Sequence, residues 1–151
     1  MEPSKVLLDT DVIVNWLTKE IETVSNKELW QAPYEIIKLI EAKKVSGIIS
    51  ITTLLEIRFL LRRKKKHILR QIEEDIRKIT GILDVVIPDE IHLLKANTLQ
   101  ADLPLDPFDA IHLSVSIGLC PITLLSRDRE FIHISRQFIR GMTPEEFLDT
   151  L

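Results

Sequence analysis

Short runs of apolar residues alternate along the chain with longer segments in which apolar residues recur at helical spacing. The short runs predict buried strands, over residues 5–8, 45–51, 82–87 and 121–125. The longer segments predict helices, over residues 11–17, 27–44, 54–61 continuing at 68–79, 90–101 and 107–118. Residues 138–139 add a candidate edge strand, and a capping box at 143–146 predicts a last helical turn.

Several residues are expected to set the ends of these elements. Thr52 or Thr53 is a candidate cap for the helix that follows the second strand. Gly81 is expected to end the next helix, and Pro33 is a candidate kink in the helix over 27–44, because proline removes a helical hydrogen bond.

Strands that alternate with helices of ten or more residues predict a parallel sheet with helices on both faces and right-handed crossovers. The predicted fold is an α/β fold, a three-layer α/β/α sandwich with a central parallel sheet of four to five strands. We expect one domain spanning residues 1–151. In such sheets ligands bind beyond the carboxyl ends of the strands, so functional residues are expected just after each strand.

Four acidic residues distant in sequence are expected at that edge. Asp9 ends the first strand, Glu56 lies near the start of the helix after the second, and Asp128 follows the fourth. Asp109 begins a helix that reaches the fourth strand through residues 119–120, and so short a link makes the helix run against the strand. Asp109 therefore returns to the same edge.

Clustered carboxylates predict a particular chemistry. Hard carboxylate oxygens without a cysteine or histidine ligand set favour Mg²⁺ or Mn²⁺ over zinc. Such ions activate water and neutralise charge on a phosphate, as phosphodiester hydrolysis requires. His112 lies three residues after Asp109 and can face the site, although a lone helical histidine is more often a packing residue.

The acids also have structural explanations. Asp9 or Asp11 suits the cap of the first helix, and Asp11 is the expected cap. Glu56 can pair with Arg63 further along its helix, and Asp109 suits the positive end of a helix dipole. The convergence of four like charges argues for a bound cation, because they repel one another without one.

Composition narrows the functional classes. The chain has 151 residues, 45% hydrophobic and 28% charged, and its apolar runs are too short to span a bilayer. The N-terminal residues lack a signal-peptide pattern, so a cytoplasmic location is expected. Cys120 is the single cysteine, which excludes an internal disulfide, and its apolar neighbours predict a packed thiol.

Charge is distributed unevenly along the chain. A net charge of −3 argues against a protein that coats nucleic acid through charge alone. Residues 62–66 (RRKKK) nevertheless form an unbroken basic run. This run is either a solvated helix end or a patch that contacts phosphates, in which Arg62 and Arg63 are the candidate nucleic-acid-binding residues.

Five short motifs follow one another along the chain. They are residues 7–12 (LLDTDV), 50–56 (SITTLLE), 109–113 (DAIHL), 126–131 (SRDREF) and 143–148 (TPEEFL). In this order and spacing they resemble the PIN-domain ribonucleases, in particular the VapC-like toxins of type II toxin–antitoxin pairs. Each motif alone is weak, but together they cover nearly the whole chain.

The resemblance implies Mg²⁺- or Mn²⁺-dependent cleavage of single-stranded RNA. It implies that Asp9, Glu56, Asp109 and Asp128 form the metal site and that Ser126 supports it. It also implies a homodimer and a small antitoxin protein whose C-terminal segment occupies the active-site groove.

The chain departs from the commoner pattern of this family at two places. Asp11 stands where an asparagine is frequent, which makes it a candidate supporting residue or a fifth acid of the site. The segment between the first two helices is also longer, and it bears on the substrate groove and the dimer surface.

Two other functions are compatible with part of the sequence. In a haloacid-dehalogenase-like phosphatase, Asp9 would be the nucleophile and Asp11 the acid/base, but Glu56 and Asp109 would then have no role. A non-catalytic PIN-fold module that binds RNA or protein is expected to lack one or more of the acids, and this chain has all four.

Overall fold

A five-stranded parallel sheet forms the centre of the molecule. The computed structural model describes residues 2–63 and 68–151. In these ranges the strands are β1 (Ser4–Leu8), β2 (Val45–Ser50), β3 (Asp84–Val86), β4 (Thr123–Leu125) and β5 (Arg140–Met142). Their order is β3-β2-β1-β4-β5, and every neighbouring pair is parallel.

Eight helices connect and cover these strands in the described ranges. They are α1 (Thr10–Thr18), α2 (Gln31–Glu41), α3 (Ile51–Arg63), α4 (Leu69–Ile82), α5 (Glu90–Asp102), α6 (Pro107–Gly118), α7 (Arg129–Ser135) and α8 (Pro144–Asp149).

The buried apolar residues form two clusters, one on each face of the sheet. One cluster joins the sheet to α1, α2, α3, α4 and α8, and the other joins it to α5, α6 and α7. Side chains alternate between the faces of a strand, so Leu8 enters the first cluster and Leu7 the second. The predicted three-layer α/β/α sandwich is thereby confirmed.

β1 is the central strand, and its position fixes the residue that follows it. β1 pairs with β2 on one side and β4 on the other, and its last three residues are buried. The backbone N–H of Asp9 then donates to Leu125 O at 2.9 Å, which extends the pairing with β4. Asp9 consequently lies at the middle of the carboxyl edge of the sheet.

The second helix begins later than predicted. α2 starts at Gln31, so Pro33 lies in its first turn, where the missing N–H costs no helical hydrogen bond. The predicted kink is therefore wrong. The residues before α2 form a hairpin-like connection in which Ile21 and Glu28 pair as an isolated antiparallel bridge.

Three other boundaries differ from the predictions. α3 begins at Ile51, and the Ser50 hydroxyl accepts from the N–H of Thr52 at 3.3 Å, so neither Thr52 nor Thr53 precedes the helix as its cap. Gly81 lies inside α4, which ends at Ile82. The edge strand begins at Arg140, just after the predicted residues 138–139.

Two inferences from composition were also examined by the structure. Cys120 is exposed, because it lies in the link between α6 and β4 and outside both apolar clusters, so the predicted packed thiol is wrong. Within residues 2–63 and 68–151, no helix combines the length and the apolarity that crossing a membrane requires.

Candidate metal site at the carboxyl edge of the sheet

The structure brings the four predicted acids to one hollow of about 390 Å³ beyond the carboxyl end of β1. Its lining includes seven acidic residues, contributed by the ends of strands and the starts of helices. They are Asp9, Asp11, Glu20, Glu56, Asp106, Asp109 and Asp128. Glu20 and Asp106 were not identified from the sequence as members of this group.

Asp9 is the most firmly held of these acids. It is only 6% exposed, and its Oδ1 accepts from the N–H of Thr10 at 2.8 Å, which makes Asp9 the N-cap of α1. Its Oδ2 accepts from the Ser126 hydroxyl at 2.7 Å. Ser126 thus supports the site as the family resemblance implies, and the prediction that Asp11 caps α1 is wrong.

His112 is buried between two of the acids. Its Nδ1 lies 3.2 Å from Asp9 Oδ1, and its Nε2 lies 3.2 Å from the Thr53 hydroxyl and 3.7 Å from Glu56 Oε1. Burial lowers the pKa of His112, but contact with Asp9 and the charges of Asp9 and Glu56 outweigh it, so the pKa is raised. His112 is therefore a member of the site rather than the packing residue expected from base frequencies.

Glu56 faces the hollow from α3. Its Oε1 accepts from the Thr10 hydroxyl at 2.7 Å. Burial raises the pKa of Glu56, although the Thr10 hydrogen bond and the His112 charge act in the opposite direction. The Arg63 guanidinium instead lies over the Phe59 ring, 5.5 Å from its centroid, so the structure does not show the alternative Glu56–Arg63 pair.

Asp109 reaches the site because another acid caps its helix. Asp106 is the N-cap of α6 and accepts from the backbone N–H of Asp109 at 2.8 Å. The Asp109 carboxylate is thereby left for the hollow. Burial, with the charges of Asp9 and Asp106, raises the pKa of Asp109 to about 8.

Asp128 has two roles in the structure. Its Oδ1 accepts from the N–H groups of Glu130 and Phe131 at 3.0 and 3.1 Å, which caps α7. Its own N–H donates to the Ser126 hydroxyl at 3.0 Å. The same side chain lines the hollow.

Asp11 is buried beside Asp9. Its Oδ2 accepts from the N–H of Arg127 at 3.0 Å, whereas its Oδ1 is buried without a hydrogen-bond partner in the described part of the chain. Burial and the charge of Asp9 raise the pKa of Asp11 to about 8. A buried carboxylate oxygen without a partner is costly unless a proton or a cation compensates it.

These residues fit a divalent cation. Asp9, Asp109 and His112 each offer one ligand atom, and the three atoms lie within 4.8 Å of one another. The unpartnered oxygen of Asp11 adds a hard donor nearby. The argument from sequence for Mg²⁺ or Mn²⁺ assumed a donor set without histidine, and the structure adds His112 to carboxylates that still dominate the set.

Arg62 and Arg63 lie apart from the hollow. Both are exposed at the C-terminal end of α3, and neither contributes to the lining of the hollow. The rest of the basic run, residues 64–66, lies outside the described residues. Contact between Arg62, Arg63 and nucleic acid therefore stays a prediction.

Comparison with known proteins identifies the family. A family model described as PIN domain matches residues 5–130 of the chain. Among curated proteins, no sequence matches significantly.

Several solved structures are similar in fold. VapBC2 from Rickettsia felis, bound to a promoter DNA fragment, superposes with a TM-score of 0.67 at 18% identity, covering 91% of this chain and 98% of that one. DNA-bound VapBC from Salmonella typhimurium gives 0.66 at 19% identity, covering 93% and 98%. PAE2754 from Pyrobaculum aerophilum gives 0.68 at 15% identity, covering 99% and 96%. At these identities the likeness shows a shared fold.

We expect Asp109→Asn to stabilise the metal-free protein in a pH-dependent way. The pKa of Asp109 rises from 3.8 to about 8 on folding. The folded state therefore holds this proton more tightly, and the resulting stability is present below about pH 4 and lost as the pH rises towards 8. With EDTA, the melting temperature of the variant should exceed that of the parent near pH 8, and the difference should shrink towards pH 4.

Asp102→Asn is a matched control, because it removes an exposed acid at the end of α5. The control should show a much smaller pH dependence. A lower melting temperature for Asp109→Asn at both pH values would identify Asp109 as a structural residue of the α6 start.

Proposed function

The chain belongs to the PIN-domain family, and from that premise we propose that it is a cytoplasmic, metal-dependent endoribonuclease that hydrolyses phosphodiester bonds of single-stranded RNA. The observation that carries the proposal is the cluster of buried and half-buried carboxylates at one edge of the sheet. The proposed catalytic and metal-binding residues are Asp9, Glu56, Asp109 and Asp128, with Asp11 and Ser126 in support.

The cluster is organised before substrate arrives. A Mg²⁺ or Mn²⁺ ion bound there supplies neutralisation of phosphate charge and activation of water. Ser126 and the α1 backbone fix the two oxygens of Asp9, and the Thr10 hydroxyl orients Glu56. Because these bonds hold the carboxylates in place, little reorganisation is needed when substrate binds.

The same contacts argue against a phosphatase with Asp9 as its nucleophile. A nucleophilic carboxylate needs an oxygen that can approach the phosphorus atom, but Asp9 is 6% exposed and each of its oxygens already accepts a hydrogen bond. All four acids are present in the hollow, which also favours an enzyme over a non-catalytic binding module.

We propose that an antitoxin protein binds this chain. The similar structures from Rickettsia felis and Salmonella typhimurium are toxin–antitoxin proteins bound to DNA. An acid-lined hollow favours a cationic segment as its occupant, which suits a partner that also binds DNA. The most informative observation is whether a short reading frame for a DNA-binding protein lies immediately upstream.

Homodimer formation is the third part of the proposal. Leu55 and Phe59 are exposed one turn apart on α3, and Ile91 and Leu94 are exposed on α5. Large apolar side chains grouped on helical surfaces are typical of protein–protein interfaces. We therefore propose that a second copy of the chain covers some of these residues.

Asp9→Asn should reduce metal-dependent RNA cleavage by about a hundredfold or more, because a metal ligand and its charge are both lost. Asparagine is also a good helix N-cap, so α1 should persist. Cleavage of single-stranded RNA with Mn²⁺ or Mg²⁺, and its arrest by EDTA, measures the effect.

Asp89→Asn is the matched control, because Asp89 is the N-cap of α5 and does not line the hollow. It should cleave RNA like the parent. Undiminished cleavage by Asp9→Asn at equal purity would remove Asp9 from the mechanism, and a parent inert with both ions would refute the ribonuclease.

Replacing Arg62 and Arg63 together with glutamine should weaken RNA binding if this helix end contacts phosphates. Each lost contact to a single strand lowers the slope of log K against log salt by about 0.7, so a change of roughly 1.4 is expected. Fluorescence anisotropy in EDTA measures binding without cleavage. The double control Lys43→Gln and Lys44→Gln removes two exposed charges from the end of α2, and an equal change in both proteins would point to charge in general.

Phe59→Ser should shift the chain from dimer towards monomer, because Phe59 is 62% exposed and its burial by a second copy would be lost. Light scattering after size exclusion measures the mass. Val24→Ser, which changes an apolar residue that is 91% exposed on the connection before α2, should leave the mass unchanged. A parent that is monomeric at high micromolar concentration would contradict the proposed dimer.

A further inference from the structure

One side chain ties the turn between β4 and α7 to three other parts of the chain. Arg127 Nε donates to Asn15 Oδ1 at 2.9 Å, Nη2 donates to Leu29 O at 2.6 Å, and Nη1 pairs with Glu145 Oε2 at 2.5 Å. These partners lie on α1, on the connection before α2, and on α8. The Arg127 side chain is 15% exposed, so its bonds are largely shielded from water.

The backbone of the same turn holds two acids of the candidate site. The N–H of Arg127 donates to Asp11 Oδ2 at 3.0 Å. The hydroxyl of Ser126 donates to Asp9 Oδ2 at 2.7 Å and accepts from the N–H of Asp128 at 3.0 Å. Any movement of this turn therefore changes the positions of the carboxylate oxygens that face the hollow.

The connection before α2 reaches the hollow through the same network. Glu20 lines the hollow, accepts from the Asn15 side-chain amide, and accepts from the Leu29 N–H through its backbone carbonyl at 2.9 Å. Lys27 lies 3.7 Å from Glu145 Oε1. Glu145 thus contacts both Arg127 and the connection.

Glu145 lies beyond the part of the chain that the family model matches, which ends at residue 130. Burial opposes ionisation of Glu145, but the hydrogen bond from Arg127 outweighs it and the pKa of Glu145 is lowered. The pair is therefore charged at neutral pH and joins α8 to the turn. Neither side chain lines the hollow of the acid cluster.

We propose that Arg127 and Glu145 are positioning residues of the metal site, which hold the β4–α7 turn and the connection before α2 in register with the carboxylates. The inference rests on the proposed function, since a divalent cation is what the positioned carboxylates bind. Groups that orient metal ligands without touching the metal typically change metal affinity by about 10- to 100-fold when they are removed.

The test measures Mn²⁺ binding to metal-free protein by electron paramagnetic resonance of the unbound ion, without any nuclease assay. Arg127→Gln and Glu145→Gln should each weaken Mn²⁺ binding by about tenfold. The double variant should bind no more weakly than the weaker single variant, because both changes break one pair. Glu145→Gln is the milder variant and keeps the test informative if Arg127→Gln folds poorly.

Arg136→Gln is the matched control. Arg136 also makes side-chain bonds, to Gly141 O at 2.8 Å and to Glu146 Oε2 at 3.2 Å, but it does not line the acid hollow. It should lower the melting temperature without changing Mn²⁺ binding.

The outcomes separate this inference from the proposed function. If the parent binds Mn²⁺ and both Arg127→Gln and Glu145→Gln bind it equally well while melting lower, the residues are only structural and the inference is overturned. If the parent itself binds no Mn²⁺ at millimolar concentration, the proposed metal-dependent function is overturned and the inference with it.

Discussion

The buried carboxylate of Asp9 is the group on which the arrangement of the site depends. A buried charge costs several kcal/mol unless it is paired and hydrogen-bonded. Its compensation comes from three elements, namely the first N–H of α1, the Ser126 hydroxyl beyond β4, and His112 on α6. Helix α6 and the ends of β1 and β4 must therefore meet at one point for this charge to be tolerated.

Satisfying Asp9 leaves the neighbouring acids in an unfavourable field. Asp11 and Asp109 are both substantially buried near it, and the pKa of each is raised to about 8, by burial first and then by the charge of Asp9. A cation that binds only the folded arrangement stabilises it by mass action. The same crowding that destabilises the metal-free edge therefore strengthens its affinity for a divalent ion.

Much of this could be predicted from the sequence because parallel strands share a carboxyl edge. The strand ends located Asp9 and Asp128, and the short link after α6 located Asp109. Local pattern could not decide between Asp9 and Asp11 as the helix cap, since the answer depends on a helix start at Thr10 rather than Asp11. His112 depends on the rotation of α6.

Long-range polar contacts have even less signal in the sequence. Arg127 contacts residues 15, 29 and 145, and no periodicity or motif links these positions. The connection between α1 and α2 was recognised as unusually long, but its bridge and its approach to the hollow follow from tertiary contacts. Periodicity identifies buried faces, whereas such contacts depend on how distant segments pack.

The most direct test of the carboxylate site is anomalous diffraction from crystals of the parent protein soaked in Mn²⁺. The account predicts an anomalous peak inside the hollow lined by Asp9, Glu56 and Asp109. A hollow without a peak at saturating Mn²⁺, with the ion bound elsewhere or nowhere on the molecule, would contradict the claim that these carboxylates form a metal site.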